Sequence, residues 1–114
     1  MKRLAFAVTL VGLTAAMPSL AAEDPIAARK AVMKNNGAAV GALAKMVKGE
    51  TEYDALAAQL AMRTIFSGVV ALPSLFPAGS ETGGETKASP KIWEDMAGFE
   101  AAAAKAASDA AAAI

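Results

Sequence analysis

The 114-residue sequence contains no cysteine and no histidine. With neither a thiol nor an imidazole it can build no disulfide, no Cys-His or Ser-His-Asp triad, no histidine base and no Cys or His zinc site. Aromatic residues are scarce at 5%, and neither charge dominates, with 11 Lys+Arg against 11 Asp+Glu. That balance leaves no clustered basic face of the kind a phosphate backbone requires, which excludes nucleic-acid binding.

What is abundant is alanine, within a chain that is 55% hydrophobic. Small, strongly helix-forming residues with few aromatics point to closely approaching helices, so the expected fold class is all-α. The length allows one domain with a modest core.

The N-terminus reads as an export signal. Lys2 and Arg3 form a basic start, Leu4 to Leu13 an apolar stretch, and Pro18-Ser19-Leu20-Ala21-Ala22 a small-residue cleavage zone. The apolar run is shorter than the roughly 18 to 20 residues a membrane span needs. A signal peptide over residues 1–21, cleaved after Ala21 or Ala22, and a mature domain over 22–114 are therefore expected. The mature product would be weakly acidic, in the periplasm, and free of the membrane.

Three helices are expected, over about residues 25–48, 52–72 and 90–113. Asp24-Pro25 is a start signal, because the carboxylate can cap free N–H groups and proline at the first position loses no needed donor. Lys48-Gly49 is a stop signal, a cation followed by a residue that tolerates left-handed backbone. Between them Ile26, Met33, Val40 and Val47 recur every seven residues, with Gly37 and Ala44 at intermediate positions, which reads as a bundle seam.

The second helix is expected to begin near Glu52 to Asp54 and to end at Pro73. The short connection makes the first two helices an antiparallel pair. From Pro73 to Ala88 the chain is rich in turn formers, a crossover loop longer than usual between helices. Ser89-Pro90 then starts a third helix with an apolar stripe along Ile92, Met96, Phe99, Ala103, Ala106 and Ala110. The stripes call for a fourth helix to close the bundle, and the sequence holds none.

Several segments carry a resemblance. Asp24 to Lys34 (DPIAARKAVMK), Val47-Lys48-Gly49-Glu50 with Tyr53-Asp54-Ala55, and Leu75 to Glu81 (LFPAGSE) are similar to the class II c-type cytochromes, the cytochrome c prime family. The likeness continues through Gly83-Gly84-Glu85 and Pro90 to Asp95 as far as Phe99, and looks closest to the low-spin branch with a methionine ligand. It implies an up-down four-helix bundle, of which three helices are present, and haem c as cofactor.

By the same resemblance Met33 aligns with the axial iron ligand and Arg29 with a basic residue one turn earlier, near the haem. Glu85 aligns with an acidic loop position at the haem edge, and Trp93 with the aromatic at the start of helix three. The family's fourth helix carries Cys-x-x-Cys-His, which attaches the porphyrin and supplies the fifth ligand. None of those attachment residues is present in this chain.

The function implied is electron transfer in the periplasm with redox proteins as partners, and no enzymatic activity, in a form truncated before its attachment helix. Taken without the resemblance, the residues also fit a haem-free helical envelope protein whose apolar stripes pair with a second copy or another protein. Glu94-Asp95, and Glu52 with Asp54, are expected to be helix-start charges rather than a catalytic pair.

Overall fold

The computed structural model describes residues 24–114, so the expected signal peptide lies outside the described residues. The described chain is helical throughout, with α1 at Pro25–Val47, α2 at Ala55–Ala71, a 3₁₀ turn at Leu72–Leu75, a one-turn α3 at Lys91–Glu94 and α4 at Met96–Ala112.

Each long helix opens on an aspartate. Asp24, Asp54 and Asp95 sit in non-helical backbone and accept hydrogen bonds from the N–H groups of Ala27, Ala57 and Gly98, each at 3.0 Å. At the other end of α1, Gly49 takes φ 72°. The Glu50 N–H then reaches the Lys45 carbonyl at 2.9 Å and the Gly49 N–H reaches that of Met46 at 3.1 Å. Those two bonds satisfy carbonyls the helix would otherwise strand, and only a left-handed residue allows both.

Three boundaries differ from the sequence expectation. Glu52 and Tyr53 stay outside α2, because Asp54 provides the cap and the residues before it must reverse the chain. Pro73 does not end the helical path, which tightens into the 3₁₀ turn, where a proline near the start needs no donor. The stretch expected as one helix over 90–113 is broken at Asp95 (φ −136°, ψ 65°), whose side chain turns to cap α4. Gly98 permits this, since a Cβ there would collide with the Asp95 carboxylate.

α2 is the central element, in contact with both α1 and α4. The pairs Arg29–Leu75 and Asn36–Gly68 show that α1 and α2 run antiparallel. Phe76, just beyond the 3₁₀ turn, meets Phe99 in the first turn of α4 with ring centroids 4.8 Å apart, so α4 returns alongside α2. Among the described residues α1 and α4 make no close backbone approach. The three long helices thus form a layer with one open side.

Burial follows from this layer. The core consists of Ile26, Ala39, Ala61, Phe76, Ala107 and Ala110, joined by the polar Arg29, Asn36 and Ser80. The seam of α1 is therefore Ile26, Arg29, Asn36 and Ala39, not the seven-residue row of larger apolar residues. Met33 (54% exposed), Val40 (53%) and Val47 (88%) stand beside the contact instead. Small residues at the seam let the helix backbones approach, and Gly68 shows how closely: a Cβ there would lie 2.7 Å from Asn36 Nδ2 and closer still to Oδ1. On α4 the stripe runs through Ile92, Met96, Phe99 and Ala103, then shifts from Ala106, which is exposed, to the buried Ala107.

Ala55–Leu75 is long and apolar enough to cross a membrane by length and composition (mean hydropathy 1.6), but it packs between α1 and α4 and carries Arg63 at its middle.

Candidate cofactor site

The open side is most enclosed where α1 faces the crossover loop. Arg29, one turn before Met33, is only 3% exposed, and its guanidinium reaches across to that loop. Nη1 donates to the Leu75 carbonyl (3.3 Å) and Ser80 Oγ (3.0 Å), and Nη2 to the Ser80 carbonyl (2.8 Å) and Thr86 Oγ1 (2.9 Å). All four acceptors are neutral, and the cation also lies 4.6 Å from the Phe76 ring centroid and 5.4 Å from that of Trp93.

The loop acceptors are themselves held. Ser80 Oγ donates to the Pro77 carbonyl at 2.8 Å, Thr86 Oγ1 accepts from the Ala88 N–H at 3.2 Å, and Trp93 Nε1 donates to the Pro77 carbonyl at 3.2 Å. Phe76 completes the cluster, 5.5 Å from Trp93 and 4.8 Å from Phe99. One buried cation thereby ties α1 to the loop and to the start of the last helical stretch.

Beside this clamp lies a cavity of about 380 Å³ lined by Arg29, Lys30, Met33, Leu72, Phe76, Thr86, Lys87, Ala88 and Ile92. It is within the usual size range of small-molecule pockets, with apolar walls and a few polar groups. Lys30 and Lys87 also line an outer compartment of about 590 Å³, together with Glu85 and Thr86. Lys30 Nζ donates to the Glu85 carbonyl at 3.3 Å.

The four residues singled out in the sequence take different places. Met33 lines the inner cavity, and Arg29 lines it while spending its four hydrogen bonds on loop oxygens rather than offering them to a ligand. Glu85 is exposed and borders the outer compartment, while Trp93 is partly buried behind Phe76 and lines neither. Leu72, Phe76, Lys87 and Ile92 were not anticipated as lining residues. The apolar–apolar–proline run Leu75-Phe76-Pro77 after an expected helix end was the one available signal for Phe76.

A second groove, about 500 Å³, runs along the α1–α2 seam past Asn36, Arg63 and Ser67. Its floor holds Asn36 Oδ1, buried without a hydrogen-bond partner against Gly68.

The donor set of the inner cavity fits haem on one side. The Met33 thioether is a soft ligand suited to haem iron, the walls suit a porphyrin face, and the rim cations suit its carboxylates. No group of three or more His, Cys, Asp or Glu able to hold a metal ion occurs among the described residues. Covalent attachment and a second protein ligand from histidine are outside what this sequence contains.

Comparison with known proteins agrees with this geometry. The profile of the family described as cytochrome C′ matches residues 24–114. The chain is 46% identical over 95 residues to cytochrome c′ of Rhodopseudomonas palustris, covering 83% of this chain and 65% of that protein. It is 46% identical over 82 residues to cytochrome c-556 of Agrobacterium fabrum, covering 72% of this chain and 55% of that protein. It therefore spans about two thirds or less of the length of these relatives. The solved structure of the R. palustris cytochrome c′ superimposes with a TM-score of 0.77 at 46% identity, over 80% of this chain and 73% of that one.

Proposed function

The chain belongs to the cytochrome c′ family, whose cofactor is haem c, and from that premise we propose that its helices form the Met33-bearing wall of an exported, haem-binding electron-transfer cytochrome. Met33 is the axial ligand in this proposal, which places the chain with the low-spin, methionine-ligated members. Its site is the periplasm, and its partners are redox proteins rather than substrates. The attachment-bearing fourth helix of the family is not part of this sequence, so these residues hold haem, where they hold it, without a covalent bond.

The observation that supports this most directly is the position of Met33. It stands on the wall of an apolar cavity one turn from a clamp that fixes the opposite wall before any ligand arrives. When bound, haem iron supplies one-electron exchange between Fe(III) and Fe(II), and thioether ligation favours the reduced form. The protein side of the work is to shape and keep the pocket. Arg29 holds the Leu75–Thr86 loop, Phe76 and Ile92 keep water from the inner wall, and Lys30 and Lys87 present donors at the rim.

The test is titration of the purified chain with haem, followed by visible absorption and a haem stain on a denaturing gel. A saturating Soret band near one equivalent, no stain, and loss of the methionine-ligated spectrum in Met33→Ala are expected. A spectrum unchanged by Met33→Ala would remove Met33 from the site.

A further inference from the structure

The inner cavity is electrostatically one-sided. Three cations line it, Arg29, Lys30 and Lys87, and no carboxylate does. The nearest acidic side chain, Glu85, borders only the outer compartment, where the same two lysines face it. Among the described residues the one ion pair is Lys105–Asp109 at 2.6 Å, on the exposed face of α4. Arg29 is buried with only neutral oxygens as acceptors, so its positive charge is uncompensated by any group of this chain within salt-bridge distance. A buried charge without a counter-ion is costly, and an anion placed nearby relieves that cost.

The walls behind these cations are apolar, formed by Met33, Leu72, Phe76 and Ile92. An apolar compartment closed at its rim by two lysines and underlain by an uncompensated arginine is complementary to a molecule with a hydrocarbon body and a carboxylate head. We propose that this cavity binds amphipathic carboxylates of the fatty-acid type, the hydrocarbon lying against Met33, Leu72 and Phe76 and the head held by Lys30 and Lys87. It shares its cavity with the haem proposal but stands on the charge of the rim rather than on the sulfur of Met33. In a chain with no cysteine to tether a porphyrin, such a ligand competes for the same volume on equal terms.

Trp93, the single tryptophan, packs on the cavity residue Phe76 and reports occupancy through its fluorescence. The experiment titrates the purified chain with laurate below its micelle-forming concentration, and in parallel with dodecanol and dodecyltrimethylammonium. Expected is a saturable change at one equivalent of laurate, binding about tenfold weaker for dodecanol, and none for the cation. Lys30→Gln with Lys87→Gln, both exposed positions, should weaken laurate about tenfold while leaving circular dichroism unchanged. Laurate and dodecanol binding equally, or laurate indifferent to the double lysine variant, would overturn the proposal. Met33→Ala separates the two ligands. Loss of the haem spectrum with laurate binding kept is expected, haem failing on the unaltered chain while laurate binds overturns only the cofactor proposal, and laurate failing while haem binds overturns only this one.

Discussion

At the scale of single residues, Arg29 does more than any other side chain. Replacing it by methionine keeps much of its apolar bulk but leaves the Ser80 and Leu75 carbonyls without their donor. A loss of about 2–4 kcal/mol is expected, read as a lower urea midpoint, with Trp93 fluorescence shifting as the loop comes away. Gly68 makes a second case. Gly68→Ala forces a Cβ into the Asn36 amide and should cost about 1–3 kcal/mol, whereas in an Asn36→Ala background the same change should cost far less, because only that side chain stands in the way. Equal costs in the two backgrounds would show that the collision is not with Asn36. Arg29 was picked out in the sequence as a residue near the cofactor, but its depth was not legible there. Its partners lie 46 to 57 positions away, and no local pattern shows a guanidinium closing on a loop that distant.

At the scale of elements, the starts and stops carry the local information, and that is where the sequence speaks most plainly. Asp24-Pro25 and Lys48-Gly49 bracket α1 because capping is chemistry between neighbours, readable within four residues. The break at Asp95 was missed for a related reason. Ser89-Pro90 already offered a start, so the second aspartate looked like an ordinary first-turn charge rather than a cap, and the glycine three residues later was the clue. Asp95→Ala combined with Gly98→Ala should join α3 and α4 into one continuous helix. Helicity should rise, and Trp93 should leave the Pro77 carbonyl, seen as a red-shifted emission. The seven-residue row of α1 misled in another way. Periodicity identifies an apolar face but not which neighbour it meets, and the seam with α2 settled one position over, on Asn36 and Ala39.

At the scale of the molecule, the all-helical fold follows from composition and from the family, while the open side follows from the way the helices are laid down. With α2 between α1 and α4, no large side chain is fully buried among the described residues, and Met33, Val40, Leu56 and Leu60 remain more than half exposed. Stability should therefore be modest, and helicity by circular dichroism should rise with protein concentration as copies cover one another's apolar rows. Sedimentation equilibrium checks it: a strictly monomeric chain with concentration-independent helicity would show that the rows tolerate water.

The placement of α2 also sets how local openings propagate. α1 and α4 touch only through it, so either outer helix can detach without the other, but neither survives the loss of the middle one. Amide hydrogen exchange should accordingly sort into tiers, slowest in α2 and independently faster in α1 and α4. A ligand in the cavity would slow exchange in α1 and in the loop pinned by Arg29, leaving the last turns of α4 at their own rate, since no lining residue lies beyond Ile92.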